Sequence, residues 1–341
     1  MKRPTAAPVG DMAMRIGVFC SGGDAPGMNA CIRAVVRSAL SRKHEVIGIR
    51  RGYEGLLEEN FWSNTESSTM TLRSVSDLGK LGGAMLHSSR SDEFRTPAGQ
   101  QKAAAILRKN NIDALIPIGG DGTLQGAVAL AQYWDGQIVG CPGTIDNDLI
   151  GTDYTIGFST AVQTAVDAVD KIRDTADSHV RMFLIEVMGR HSGYIAIHSA
   201  LAGAAECVCI PETPTDVEQL VKNIKILKGR GKTSVLMIVA EGDETGGALQ
   251  LQQRLVDADC PFGTRCVILG HLQRGGSPTP EDRILASRLG DFAVRSIQDG
   301  ANGVMAGVIA NQCQLTPFQE TYARHKAIPV EYVELLETLS V

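Results

Sequence analysis

Residues 15–49 are RIGVFCSGGDAPGMNACIRAVVRSALSRKHEVIGI, and this stretch decides the fold class of the chain. The apolar run at 15–20 predicts a strand, the apolar spacing of 29–40 predicts a helix, and 45–49 predicts a second strand. A strand, a helix and another strand in this order are the unit from which parallel sheets are built. The glycine-rich turn at 21–27 follows the first strand, at the edge where such sheets bind ligands.

The same alternation continues along the chain. Further strands are predicted at 114–118, 137–141, 182–187, 207–210, 234–239 and 266–269, and further helices at 97–109, 124–133 and 160–174. Residues 54–76 are polar and rich in Ser and Thr, which predicts an irregular connection. A chain of 341 residues exceeds the size at which a single core stops growing. We therefore predict an α/β protein with two Rossmann-like three-layer lobes and mainly parallel sheets.

Composition and charge exclude several classes of function. The chain is 43% hydrophobic and 21% charged, as is typical of a soluble globular protein, and its net charge is -5. An acidic chain without a basic patch is not expected to bind nucleic acid. No apolar run approaches the roughly 18 residues needed to span a membrane. We expect neither nucleic acid nor a membrane as partner.

The eight cysteines include no C-x-x-C pair. Cys207 and Cys209 lie two apart in an apolar run, so they share one face of a strand, where they could ligate a metal. Packed free thiols in a reducing cytoplasm are the interpretation that we favour. Residues 1–13 lack the apolar segment of a signal peptide, and we expect them to be a disordered leader.

Two glycine-rich clusters have the composition of phosphate-binding loops. SGGDAPGMN at 21–29 and GGDGT at 119–123 each follow a predicted strand and precede a predicted helix. Their backbone amides can approach phosphate oxygens, and Asp121 offers a hard oxygen ligand for magnesium. The structural alternative for each is a tight turn with an Asp cap. Neither contains G-x-G-x-x-G, which disfavours a dinucleotide site.

Two later clusters add acid–base and anion-binding groups. PGTIDND at 142–148 carries two carboxylates, of which Asp146 or Asp148 could accept a proton from a hydroxyl. GHLQRGGSP at 270–278 combines His and Arg with flexible backbone, which favours an anion site. From the residues alone we predict an enzyme that binds a magnesium polyphosphate and a second phosphorylated molecule.

Five segments together resemble the phosphofructokinase family, in its short bacterial ATP-dependent form. They are SGGDAPGMNA, GGDGT, PGTIDNDLIGTDYTIGF, EVMGR and GHLQRGGSP, and they occur in this order. The resemblance extends from about Arg15 to the low 300s. It implies a glycolytic, cytoplasmic transferase that phosphorylates the 1-hydroxyl of fructose 6-phosphate with ATP and Mg²⁺, giving fructose 1,6-bisphosphate and ADP.

The resemblance also implies residue roles. The base would be Asp146, with Thr144, Arg90 and Arg190 as further catalytic residues and Asp121 as the magnesium ligand. The ATP site would comprise Gly23, Arg90, Ser91, Gly120, Asp121, Gly122 and Thr123. The sugar-phosphate site would comprise Thr144, Ile145, Asp146, Arg181, Met188, Gly189, Arg190, Glu241, Arg265, His271, Leu272, Gln273 and Arg274. In the family the equivalents of Arg181 and Arg265 come from a neighbouring subunit, so the resemblance implies a homo-oligomer, a tetramer.

The family implies lobe boundaries and an effector site as well. The ATP lobe would span 14–157 with about 273–323, and the fructose 6-phosphate lobe 158–272 with about 324–341. ADP or phosphoenolpyruvate would act as an allosteric effector between subunits, at Arg33, Arg37, Arg173, Glu206, Arg230 and Lys232. The chain departs from the pattern before Ser74, where Leu72 and Arg73 stand in place of an Arg-Tyr pair, and at Ser91 and His191, where aromatic residues are common.

Three alternatives remain for the function. Pyrophosphate-dependent relatives carry Asp and Lys where this chain has Gly122 and Gly143, and two glycines leave space for the ATP α-phosphate, so ATP is the expected donor. A non-catalytic nucleotide-sensing subunit would be expected to have lost Asp121, Asp146 or Arg190, all of which are present. NAD and diacylglycerol kinases share GGDGT but lack the other clusters.

Overall fold

The computed structural model describes residues 13–65 and 67–339. Its strands are β1 (Arg15–Cys20), β2 (Glu45–Gly48), β3 (Ala114–Gly119), β4 (Gln137–Thr144), β5 (Ile156–Gly157), β6 (Arg181–Val187), β7 (Cys207–Cys209), β8 (Val235–Ala240), β9 (Gly263–Ile268), β10 (Val304–Ile309) and β11 (Gln312–Pro317). Its α-helices are α1 (Met28–Ser41), α2 (Gly52–Leu57), α3 (Pro97–Lys109), α4 (Asp121–Leu130), α5 (Phe158–His179), α6 (Tyr194–Ala202), α7 (Val217–Gly229), α8 (Ala248–Asp257), α9 (Pro280–Gln298), α10 (Phe318–Thr321) and α11 (Val330–Leu339). Short 3-10 helices span Arg73–Val75, Leu78–Lys80, Glu93–Arg95 and Gly270–Arg274.

The chain forms two compact units. Among the described residues, the first contains 13–65, 67–144, 149–157 and 277–324, and the second contains 145–148, 158–276 and 325–339. Residues 145–148 and 273–276 were predicted in the first lobe, but they belong to the second unit because their contacts lie there. Of the predicted leader, residues 1–12 lie outside the described part of the chain.

The first unit is built on a mainly parallel sheet. Among the described residues its strand order is β11-β10-β4-β3-β1-β2, and β5 pairs with β4. Strands β1, β2, β3, β4 and β10 are parallel, and β11 closes the edge antiparallel to β10. Fully buried side chains of Phe19, Leu107, Leu115, Leu124 and Phe318 contribute to the core against these strands. Burial of each such side chain stabilises the fold by about 1.5–3 kcal/mol.

The second unit has its own parallel sheet and core. Its strand order is β7-β8-β6-β9, with every described pair parallel. Cys207 and Cys209 lie buried in this core, and burial raises the pKa of Cys207 to about 12. The two thiols are therefore protonated and pack as small apolar side chains. The prediction of an α/β chain with mainly parallel sheets in two lobes is confirmed.

Sequence signals explain several helix starts. The Thr96 hydroxyl accepts a hydrogen bond from Gly99 N at 3.1 Å, and Pro97 follows it at the first helical position of α3. Thr279 and Pro280 repeat this arrangement at the start of α9.

Strand β4 extends beyond its predicted end at residue 141. Pro142 and Gly143 belong to it, although both are poor strand formers, which is why the sequence predicted an earlier end. Within 54–76, predicted to be irregular, helix α2 extends to Leu57. No described helix is both long and apolar enough to cross a bilayer.

Candidate active site

The turns after β1 and β3 lie side by side in the first unit. The Thr123 hydroxyl donates to the carbonyl of Ser21 at 3.0 Å. Gly22 N donates to Ser89 O at 3.3 Å, and the Ser88 hydroxyl donates back to Gly22 O at 2.6 Å. These bonds join three segments at the carboxyl edge of the sheet. The predicted ATP-site residues all lie in these segments or directly beside them, namely Gly23, Arg90, Ser91, Gly120, Asp121, Gly122 and Thr123.

Close packing requires glycine in these turns. A Cβ atom at Gly119 would lie 2.2 Å from Thr123 Oγ1 and 2.6 Å from Ser21 O. Gly22 has φ +84°, a left-handed conformation that favours glycine. The buried Tyr53 hydroxyl supports the arrangement by donating to Thr123 O at 2.8 Å, and burial raises the Tyr53 pKa. No sequence motif contains Tyr53, so this contact was not predicted from the sequence.

Asp121 is the first residue of α4, where its carboxylate faces the positive end of the helix dipole. One carboxylate oxygen accepts a hydrogen bond from Gly122 N at 2.6 Å. Magnesium that is bound together with a nucleotide takes one or two carboxylates and fills its shell with water and phosphate oxygens. Asp121 fits this role. Residues 13–65 and 67–339 contain no cluster of three His, Cys, Asp or Glu side chains that could hold a metal by themselves.

The two glycines of the donor argument, Gly122 and Gly143, differ in the space around them. A Cβ atom at Gly122 would have no neighbour within 4 Å. At Gly143 a Cβ atom would lie 2.9 Å from Ile118 Cγ2 and 3.0 Å from Met28 Cε. The Cβ direction at Gly143 therefore points at core side chains. A side chain would fit freely only at Gly122.

Asp146 lies in the loop that follows β4, and this loop belongs to the second unit. Its carboxylate Oδ2 is 3.7 Å from Arg190 Nε, and the Asp146 side chain is only 4% exposed. The Ser192 hydroxyl donates to the Asp146 carbonyl at 2.8 Å and fixes the loop backbone. Ile145 is fully buried in the same loop. Thr144, the last residue of β4, is buried in the first unit.

The turn after β6 carries Met188, Gly189 and Arg190. Glu241 Oε1 accepts hydrogen bonds from Gly189 N at 3.3 Å and from Arg190 N at 2.9 Å. Arg190 adopts a left-handed φ of +53°, which is uncommon for a residue with a side chain. Glu241 thus holds the backbone from which the Arg190 side chain reaches Asp146. The second unit thus contains five of the predicted site residues in this loop and these turns, namely Asp146, Met188, Gly189, Arg190 and Glu241.

The segment Gly270–Arg274 forms a 3-10 helix after β9. His271 is exposed and Leu272 is 70% exposed, whereas Gln273 is fully buried and donates to Gly270 O at 3.2 Å. The predicted anion-binding segment therefore presents His271 to solvent.

Arg181 and Arg265 lie elsewhere in the second unit. Arg181 begins β6, whereas Met188 follows its last residue, so about 20 Å of strand separates them. Arg265 lies in the edge strand β9, opposite Phe183. The chain does not bring these two arginines to its own Arg190.

The predicted effector residues divide between the units. The buried Glu206 carboxylate lies 3.3 Å from Arg173 Nη1 and 2.5 Å from Lys232 Nζ, and accepts a hydrogen bond from Leu236 N at 2.7 Å. Arg230 lines a cavity of about 460 Å³ together with Glu206. Arg33 and Arg37 lie on α1 in the first unit.

Ser192 and Lys326 both contact loop 145–148, and neither was predicted from the sequence. Lys326 Nζ donates to Asn147 Oδ1 at 3.1 Å. Ser192 stands two residues beyond the quoted segment EVMGR, so the motif pointed to its neighbourhood without including it. Lys326 belongs to the tail, where no sequence pattern indicated a role.

Comparisons with known proteins identify the family. The profile described as Phosphofructokinase matches residues 15–297. ATP-dependent 6-phosphofructokinase 1 of Thermus thermophilus is 49% identical over 327 residues, covering 96% of this chain and 99% of the relative. A solved phosphofructokinase from Saccharomyces cerevisiae superposes with a TM-score of 0.81 at 33% identity, covering 95% of this chain. This chain spans 46% of the yeast chain.

A solved pyrophosphate-dependent phosphofructokinase from Marinobacter aquaeolei has the same fold. Its TM-score is 0.80 at 19% identity, and the match covers 95% of this chain and 91% of that one. At this identity the likeness concerns the fold alone. The family profile and the Thermus relative both cover most of the chain, and this protein belongs to the phosphofructokinase family.

Proposed function

We propose that this protein is an ATP-dependent 6-phosphofructokinase, a glycolytic kinase that converts fructose 6-phosphate and ATP to fructose 1,6-bisphosphate and ADP. The observation that carries the proposal is the buried Asp146 carboxylate beside Arg190, in a member of this family. The near full-length relative from Thermus thermophilus is named for the same activity. Because the reaction is glycolytic, we assign the protein to the cytoplasm.

The first unit supplies the donor site in this proposal. Backbone amides of the 21–23 and 119–123 turns hold the ATP phosphates, and the N-terminus of α4 adds its positive dipole end. Asp121 would hold Mg²⁺, which neutralises charge on the phosphate oxygens. The exposed Arg90 stabilises charge that develops on the transferred group.

The second unit supplies the base and the sugar site. Asp146 accepts the proton of the 1-hydroxyl as the new O–P bond forms and the bond to the ADP oxygen breaks. A carboxylate can serve as this base because proton loss is late in a loose transition state. Arg190 and Glu241 would orient the sugar so that its 1-hydroxyl lies beside the Asp146 carboxylate.

The 6-phosphate would be bound by His271 and Arg274, with Leu272 and Gln273 in the same segment. Both sets of side chains lie at the carboxyl end of one sheet. Arg190 and Glu241 would bind one end of the sugar, and the segment with His271 would bind the other. Arg181 and Arg265 would reach the 6-phosphate of a neighbouring subunit, since their own chain places them away from Arg190. On this ground we propose a homo-oligomer that shares its active sites, and the family resemblance favours a tetramer.

ATP is the proposed donor, and pyrophosphate is the competing one. The open space at Gly122 supports ATP, because an Asp side chain there would extend into it. The fold itself does not discriminate, because the pyrophosphate-dependent protein from Marinobacter aquaeolei shares it.

A coupled assay for fructose 1,6-bisphosphate tests the proposal, with ATP or pyrophosphate as donor in the presence of Mg²⁺. We expect activity with ATP only. Asp146→Asn should reduce kcat by several orders of magnitude while fructose 6-phosphate still binds. Asp148→Asn, the matched variant of the other carboxylate in this loop, should lose less. Activity with pyrophosphate would contradict the donor assignment, and inactivity with both donors would favour a regulatory subunit.

A further inference from the structure

Lys326 contacts the catalytic loop from a distant part of the sequence. Its ammonium donates a hydrogen bond to Asn147 Oδ1 at 3.1 Å. Asn147 lies between Asp146 and Asp148, is fully buried, and adopts a left-handed φ of +51°. Lys326 is itself half-buried. A lysine that loses hydration in this way, with its donor aimed at a buried amide, forms a specific contact rather than a surface ion pair.

The segment that carries Lys326 is docked on helix α6. The Tyr194 hydroxyl donates to the Ala327 carbonyl at 2.7 Å, and Lys326 Nζ lies 5.0 Å from the centre of the Tyr194 ring. A cation at this distance from an aromatic face is attracted by the ring. These contacts fix the ammonium from two sides. Loop 145–148, α6 and this segment all belong to the second unit.

His198 provides an independent marker of the ammonium position. It stacks on Tyr194 with ring centres 6.1 Å apart and meets Tyr332 edge-on at 5.1 Å. Burial lowers the His198 pKa, and the positive charge of Lys326 lowers it further.

We propose that Lys326 is a positioning residue, which restrains Asn147 and thereby holds Asp146 in its catalytic geometry. The inference rests on the proposed role of Asp146 as base. Asn147 is adjacent to Asp146 in the chain, so a change in its backbone torsions rotates the Asp146 carboxylate directly. Contacts with the surrounding residues hold Asn147 in its left-handed conformation. Lys326 supplies one such restraint, while Ser192 supplies another at the Asp146 carbonyl.

Steady-state kinetics of Lys326→Met, Lys326→Arg and Asn147→Gly test the kinetic role. Glycine accepts the left-handed torsion of Asn147 while removing its amide. Lys326→Met should lower kcat at least tenfold and leave the KM for ATP within twofold, and Lys326→Arg should recover most of the loss. Lys225→Met, at an exposed lysine of α7, is the matched control and should retain wild-type kinetics. In the double variant Lys326→Met with Asn147→Gly, the losses should not multiply, because both changes remove the same contact.

Nuclear magnetic resonance provides readouts that do not depend on turnover. In Lys326→Met the His198 pKa should rise, and amide hydrogen exchange at 145–148 should accelerate. An unchanged His198 pKa together with unchanged exchange would overturn the contact. A shifted pKa with unaltered kcat, or losses that multiply in the double variant, would overturn the positioning role. If the wild type lacks activity on fructose 6-phosphate, the proposed function fails, and the exchange rates alone then decide whether Lys326 restrains the loop.

Discussion

Arg190 Nε lies 3.7 Å from Oδ2 of Asp146, and the two side chains differ in exposure. The Asp146 side chain is 4% exposed, whereas that of Arg190 is 43% exposed. The guanidinium therefore contacts the carboxylate with one edge and leaves donors available to an approaching ligand. A group that contacts both Asp146 and solvent is well placed to orient a ligand beside the Asp146 carboxylate.

Replacing Arg190 by lysine should separate charge from geometry. The ammonium keeps the positive charge but loses the planar fork, so it cannot contact Asp146 and a substrate at once. We expect kcat/KM for fructose 6-phosphate to fall about 10- to 100-fold, equivalent to about 1.4–2.7 kcal/mol of transition-state stabilisation. The KM for ATP should not change. Initial-rate kinetics with each substrate varied will measure this.

The control for Arg190 is Arg254→Lys, at an exposed arginine of α8. It should leave both KM values at their wild-type levels. Wild-type kinetics in Arg190→Lys would show that the fork geometry has no role in orienting the sugar.

Gly122→Asp should reduce the use of ATP without unfolding the protein. A Cβ atom at this position has no neighbour within 4 Å, and a carboxylate in the first turn of α4 interacts favourably with the helix dipole. The added negative charge would face the ATP phosphates, so kcat/KM for ATP should fall at least tenfold. The coupled assay measures this loss, and thermal unfolding monitors stability. Unaltered ATP kinetics would show that the space at Gly122 is not used by the nucleotide.

Gly143→Ala should destabilise the first unit. The new methyl group would meet Ile118 Cγ2 at 2.9 Å and Met28 Cε at 3.0 Å, so core side chains must shift. Overpacking of this kind costs about 1–3 kcal/mol. Urea unfolding followed by circular dichroism will measure the free energy of unfolding. The matched variant Gly122→Ala, which adds the same methyl group in open space, should be neutral or slightly stabilising. Equal stability of the two variants would contradict the assignment of Gly143 to a crowded position.

Local patterns predicted most of the elements that carry the site. Strand β1 has the predicted ends, since its apolar run is bounded by Arg15 and by the glycines after Cys20. The 119–123 turn was predictable because glycine and aspartate after an apolar strand have few structural alternatives. Membership of the family was also evident from the five segments and is confirmed.

Other parts of the site depend on contacts that no local pattern encodes. Loop 145–148 follows β4 directly in the chain, yet its packing places it in the second unit. The contact of Lys326 with Asn147 joins residues far apart in sequence, so periodicity could not predict it. The roles of the individual site residues stay predictions. The crowding around Gly143 was not predictable, because the direction of a Cβ atom follows from the local backbone conformation, which composition does not define.

Glu206 should be required for both the stability of the second unit and any effector response. Its carboxylate is 2% exposed and pairs with Arg173 and Lys232, whose side chains are 26% and 45% exposed. Glu206→Gln leaves those two cations without a counter-charge. Partial exposure of the cations reduces the loss relative to a fully buried pair, and we expect about 1–3 kcal/mol in urea unfolding.

Phosphoenolpyruvate titrations test the effector response itself. In the wild type we expect phosphoenolpyruvate to raise the half-saturating concentration of fructose 6-phosphate, because an anion bound by Arg173, Arg230 and Lys232 would favour a state of lower affinity. Glu206→Gln should abolish this shift while the KM for ATP stays constant, since Glu206 holds two of these cations in place. Glu334→Gln, at an exposed glutamate of α11, is the matched control and should respond as the wild type does. A wild type whose affinity does not shift at any phosphoenolpyruvate concentration would rule out this effector. An equal shift in both wild type and Glu206→Gln would exclude the Glu206 cluster as its site.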